Sequence, residues 1–155
     1  MYTGKALKPS VVVKYNGATL KKKRDYTVSY SNNINVGTAT ATIVGKGEYA
    51  GKKKVRFTIS PRAVKLGKLA AGKGQFTATW TPLTAQVDGY EIEYGLKKDC
   101  SDGTTVTVDS GDTATMTVVG LNAKTKYYAR IRAYRRIGKK TYFSAWSKAR
   151  GVRIK

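Results

Sequence analysis

Glu91 and Glu93 stand two residues apart in the alternating stretch Gly89-Tyr90-Glu91-Ile92-Glu93-Tyr94, which puts both carboxylates on one face of a strand. A carboxylate pair is the raw material of glycoside hydrolysis, one group serving as acid and the other as base or nucleophile. The remaining inventory argues against catalysis. The 155 residues include no histidine, which excludes histidine-based triads and histidine metal sites. The one cysteine, Cys100, lies in the polar run Lys98-Asp99-Cys100-Ser101-Asp102-Gly103. That run reads as a loop, and a thiol without histidine is a poor nucleophile. The aspartates do not follow a calcium-loop spacing, and no glycine-rich phosphate loop joins a strand to a helix. The expectation is a non-enzymatic chain with no catalytic residue, no cofactor and no metal.

Charge is the second chemical signal. Lysine and arginine total 30 against 9 acids, for a net +21. Residues 1–60 hold twelve basic and two acidic groups, and residues 61–155 hold eighteen and seven. All seven acids of the second half fall between Asp88 and Asp112. Such a chain adheres to polyanions, among them nucleic acid, anionic wall polymers and acidic glycans. The candidate contacts are two runs, Lys21-Lys22-Lys23-Arg24 and Arg135-Arg136 with Lys139-Lys140. Both read as turns or strand ends, where charges are commonly just solvated.

The elements that must position these groups are strands, because alternation recurs and no stretch shows a 3.6-residue period. In the first half, Val11-Val12-Val13-Lys14-Tyr15 leads to the turn Asn16-Gly17, Tyr26 to Tyr30 alternates, and so do Gly37 to Val44 and Val55 to Ile59. Ser60-Pro61-Arg62 marks a boundary: proline removes a ladder donor and suits a taut connection. In the second half, strands are expected at Gln75–Trp80, Gly89–Tyr94, 104–108, 113–119, 127–134, 140–143 and 148–154. No stretch approaches the roughly 20 apolar residues needed to span a bilayer.

Several landmarks in the second half form a pattern: Trp80 ending the second strand, Gly89-Tyr90 opening the third, and the run from Leu121 through Tyr127 to Ala133. With these, residues 61–155 resemble a fibronectin type III domain along their whole length. The resemblance implies that Trp80 is the large core aromatic and that Tyr127 forms the tyrosine corner, its hydroxyl tied to the loop backbone. Residues 2–59 resemble a short Ig-like repeat of Gram-positive bacterial surface proteins. The matching stretches are Tyr2-Thr3-Gly4-Lys5-Ala6, Pro9 with its valine run, Asp25-Tyr26-Thr27-Val28-Ser29-Tyr30, Asn35-Val36-Gly37-Thr38-Ala39 and Gly45-Lys46-Gly47-Glu48-Tyr49. That repeat usually carries a further strand before Tyr-Thr-Gly; either that strand has been clipped off, which would expose a sheet edge, or it is dispensable. The fold class is then all-β, with two small β-sandwich-like domains in tandem, 1–60 and 61–155.

In the fibronectin fold the third strand pairs with the strand bearing Arg130 and Arg132, which gives Glu91 and Glu93 a structural use as an ion-pair ladder. Ser144-Ala145-Trp146-Ser147 resembles, loosely, the Trp-Ser box of fibronectin-type receptor domains, in which the indole stacks between guanidinium groups. Trp146 is therefore expected between Arg130 and Arg132. The resemblances imply a spacer or adhesion module of a cell-surface or secreted protein, extracellular and taken from a longer chain. The competing readings are a binding module for anionic cell-wall polymer or acidic glycan, and nucleic-acid binding, which lacks a groove-reading helix. Neighbouring domains of the parent protein are the other implied partners.

Overall fold

The computed structural model describes residues 1–155 and is all-β, with thirteen strands and no helix. It divides into two compact units, Tyr2–Ile59 and Ser60–Lys155.

In the first unit, β1 (Lys14–Tyr15) and β2 (Ala18–Thr19) form a hairpin. Its turn residues Asn16 and Gly17 both have positive φ, 46° and 84°, the geometry that matches the twist of paired strands. β3 (Tyr26–Ser31), β4 (Gly37–Gly45) and β5 (Lys52–Ile59) form an antiparallel sheet with β4 in the centre. The valine run before β1 is not ladder. Its carbonyls are engaged singly, Val13 O accepting from Leu20 N–H and Val11 O from the Tyr26 hydroxyl. Leu20, Tyr26 and Ile43 make the small core, with Val11, Val13, Val28 and Tyr49 against it.

Strict alternation along β4 buries Ala39, Ala41 and Ile43 on one face. Their partners on β5 are Phe57, Val55 and Lys53 in that order. The inward row of β5 therefore ends in a lysine, which stays exposed.

In the second unit, β6 (Leu66–Gly72), β7 (Gln75–Trp80) and β10 (Thr115–Val119) form one sheet. The other contains β8 (Gly89–Gly95), β9 (Thr104–Val108), β11 (Lys126–Ile137), β12 (Lys140–Phe143) and β13 (Arg150–Arg153). The core lies between the two sheets. Phe76, Ala78 and Trp80 come from β7, Tyr90 and Ile92 from β8, and Tyr127, Ala129, Ile131 and Ala133 from β11. Trp80 meets Tyr90 edge-on, with ring centroids 5.3 Å apart.

The last strand departs from expectation. It was expected over 148–154, but regular pairing covers only Arg150–Arg153, and β12 and β13 pair with different stretches of β11. Residues 144–149 bridge them outside any regular strand.

Candidate functional site

The irregular segment between β12 and β13 still docks on β11, by substituting side chains for backbone. Ser144 N–H donates to Ala133 O and Ser147 N–H to Ile131 O, as a ladder would. The return bonds differ: Ala133 N–H donates to Ser144 Oγ at 2.9 Å and Ile131 N–H to Ser147 Oγ at 3.1 Å. Hydroxyls thus stand in for carbonyls, and no buried N–H of β11 is left unpaired at these two positions. The freed segment can then carry Trp146 over the outer face of the sheet.

That face carries a continuous row. Arg130 is paired in register with Glu93 and Arg132 with Glu91. Arg130 Nε donates to Glu93 Oε2, and Arg132 Nε donates to Glu91 Oε2 at 2.8 Å. The Trp146 ring centroid lies 4.9 Å from the Arg130 guanidinium carbon and 4.3 Å from that of Arg132, and Phe143 lies 3.9 Å from Arg132 on the other side. Guanidinium and ring thus alternate in the order Arg130, Trp146, Arg132, Phe143, with the two carboxylates holding the guanidiniums from β8. All four charged side chains are about one-quarter exposed or less. Partial desolvation strengthens such contacts beyond what a fully exposed pair would give.

The row continues to Tyr134, whose ring packs against Phe143 with centroids 6.4 Å apart and lies 4.7 Å from the Arg136 guanidinium. Its hydroxyl donates to Asp109 Oδ1, the oxygen that also accepts from Arg136. Burial, reinforced by the hydrogen bond to Asp109, pushes the Tyr134 hydroxyl up to about 12. The same bonds from Tyr134 and then Arg136 hold Asp109 below the usual carboxylate range.

Of the candidate polyanion contacts, Arg135 and Arg136 are engaged by acids. Arg135 pairs with Asp88 at 3.1 Å and Arg136 with Asp109 at 2.9 Å, and Arg136 N–H also donates to Asp88. Lys139 and Lys140 sit exposed at the β11–β12 turn, Lys140 lying 4.9 Å from the Tyr142 ring. In the other unit, Lys21 to Arg24 form a tight turn closed by Asp25, which accepts from Lys21 N–H and from the Arg24 guanidinium. Those bonds, the one from Arg24 foremost, hold the Asp25 carboxyl below its usual range. Lys21, Lys22 and Lys23 are exposed, and Lys46 joins them by donating to Lys23 O at 2.9 Å. The two runs belong to different units.

Tyr127 is buried, and its hydroxyl accepts from Asn122 N–H at 3.4 Å, a long bond. The better-tied tyrosine is Tyr90, which the sequence marks only as the residue that, with Gly89, opens the third strand. Its hydroxyl accepts from Leu83 N–H and donates to Gly111 O, both at 2.8 Å. Burial raises its pKa. Cys100 lies in a loop but is fully buried, its thiol directed at Tyr128 O, and burial raises its pKa as well. Ser144 and Ser147 were the other omission. Their signal was present, since a hydroxyl three residues from another, flanking a tryptophan, is what a substituted ladder needs.

Comparisons with known proteins place this geometry. Among solved structures, the chain is similar to the FN1–FN3 domains of chicken CNTN1 at 14% identity and a TM-score of 0.52, covering 78% of this chain and 42% of that one. Also similar are a myokine (18% identity, TM-score 0.49, 62% of this chain and 98% of that one) and a computationally redesigned β-sandwich protein (24%, 0.44, 63% and 96%). No relative was found among curated proteins. The model of the fibronectin type III domain matches residues 59–150. That match runs from the start of the second unit to the first residue of β13 and takes in Tyr127 and the arginine–tryptophan row, and by it the chain belongs to the fibronectin type III family.

Proposed function

We propose that this chain is a non-catalytic spacer and adhesion module of a bacterial cell-surface or secreted protein, with residues 2–59 a short Ig-like repeat of the Gram-positive surface type. The observation that supports it is how the polar groups of the second unit are used. Glu91, Glu93, Asp88 and Asp109 each pair with an arginine of β11, and Trp146 is enclosed by two of those arginines. Groups that could form a catalytic pair or a ligand platform are engaged with one another, which suits a domain whose task is to stay folded and hold its neighbours apart. Pulling the chain from its two ends in a single-molecule force measurement tests this. At roughly 3.5 Å per extended residue, two separate unfolding events should lengthen it by about 300 Å and about 180 Å. Smooth extension without discrete events contradicts a spacer.

A second reading, binding to an anionic wall polymer or acidic glycan, is favoured by the charge of the first unit. Residues 1–60 carry twelve basic groups against two acids, and one of those acids, Asp25, is buried and already paired. This reading predicts salt-sensitive retention on a matrix bearing a carboxylated polysaccharide.

A further inference from the structure

The inward row of β5 ends in Lys53, opposite Ile43, where alternation calls for an apolar residue. The lysine is tolerated because the first unit is open there. A cleft of about 350 Å3 runs between the β1–β2 hairpin and the loop joining β4 to β5. Leu20, Tyr26 and Ile43 line it from the core, and the rings of Tyr15 and Tyr49 stand in its wall, 5.7 Å apart and at 75° to each other. Tyr15 is 58% exposed. Lys14, Lys52 and Lys53 also line it, with Glu48 as the one acid. The loop that carries Tyr49 is folded back on Gly45, where a Cβ would overlap the Tyr49 carbonyl, and Gly45 N–H donates to Gly51 O. The backbone beneath Tyr49 is therefore held against β4.

We propose that this cleft is a binding site for an acidic saccharide, a segment of polysaccharide whose sugar rings carry carboxylates. The inference rests on the second reading above and assigns it a place. A pocket with an apolar floor and a few polar groups at its rim is the usual form of a ligand site. The C–H face of a pyranose packs on a tyrosine ring, Glu48 accepts from sugar hydroxyls, and three lysines against one glutamate favour an anion. A nucleic acid fits less well. Successive bases need rings that can be stacked upon in series, and Tyr15 and Tyr49 are set edge to face.

The test is calorimetric titration of the full chain with short oligogalacturonate, with its methyl-esterified neutral counterpart, and with a single-stranded DNA oligomer. The variants are Tyr15→Ser and Lys53→Gln, with the exposed Lys68→Gln as the control in the other unit, each checked for folding by circular dichroism. The proposal expects oligogalacturonate to bind, and binding to weaken about tenfold on esterification and in each cleft variant, while Lys68→Gln changes nothing. If oligogalacturonate binds the native chain and both cleft variants alike, the site lies elsewhere: the inference fails and the second reading stands. If it does not bind the native chain at all, both fail. If DNA binds as tightly and is lost in Tyr15→Ser, the assigned ligand class is wrong.

Discussion

The ring of Tyr134 lies across Gly89, its register partner on the adjacent strand. A Cβ built on Gly89 would come within 2.8 Å of the Tyr134 ring carbon bearing the hydroxyl and would overlap the Val108 carbonyl on the far side. Glycine is there for space, and the φ at this position is not of the left-handed kind. The first member of the Gly89-Tyr90 landmark thus admits the outer-face tyrosine, while the second fills the core with a doubly bonded hydroxyl.

Gly89→Ala should therefore be among the most damaging small changes in residues 60–155, costing about 1–3 kcal/mol from overpacking. Both tryptophans of the chain, Trp80 and Trp146, lie in that unit, so denaturation followed by tryptophan fluorescence reports it alone. A loss below about 0.5 kcal/mol would mean that the strands part without penalty.

Tyr90→Phe and Tyr127→Phe each delete one hydroxyl. The first leaves a half-buried donor, Leu83 N–H, and a half-buried acceptor, Gly111 O, both without their 2.8 Å partner and should cost about 1–3 kcal/mol. The second breaks only a 3.4 Å bond from Asn122, an exposed residue, and should cost under about 1 kcal/mol. The reverse order, read by the same denaturation, would restore the tyrosine corner to the leading role that the family pattern implies.

Ser144→Ala and Ser147→Ala remove the hydroxyls that accept from Ala133 and Ile131. Ser144 is buried and Ser147 half-buried, so the first should cost more, about 1–3 kcal/mol against about 1 kcal/mol. Hydrogen exchange offers a residue-level check. Ala133 N–H should lose protection in Ser144→Ala and keep it in Ser147→Ala.

What was legible in the sequence followed from period and spacing. Alternation in Tyr90–Tyr94 and Tyr127–Tyr134 placed two strands, and the two-residue spacing of Glu91 with Glu93 and Arg130 with Arg132 put like charges on one outer face. Illegible were features that depend on which atom meets which. Nothing in the letters distinguishes Tyr90, bonded at both ends of its hydroxyl, from Tyr127, or shows that Arg135 and Arg136 would meet Asp88 and Asp109 from 27 or more residues away. The break in the last strand was hidden because Ser144 and Ser147 imitate a ladder through side chains, which periodicity does not register. In the first unit, Lys53 at an inward position broke the alternation of β5, and only the cleft explains it.

Stability should fall at both ends of the pH scale, for separate reasons. Tyr134 has its folded pKa raised from 10.0 to about 12, so its contribution is complete below pH 10.0 and disappears as pH rises toward 12. On the acid side Asp25, Asp99, Asp102 and Asp109 are held below the ordinary carboxylate value of 3.8. Their contribution is present above that value and is lost as pH falls through their depressed folded values. Melting temperature followed by tryptophan fluorescence should decline between pH 10 and 12, and Tyr134→Phe should flatten that decline. An unchanged alkaline decline in the variant would remove Tyr134 as its cause.

The outer-face row of residues 60–155 is a clasp closed on itself. A double-mutant cycle between Trp146→Ala and Arg132→Gln in the full chain, read by the fluorescence of Trp80, measures this directly. With the indole centroid 4.3 Å from the Arg132 guanidinium in a partly buried setting, the coupling should be about 1 kcal/mol and favourable. Additive effects, or a Trp146→Ala variant as stable as the native chain, would contradict it and leave Trp146 as a free aromatic surface.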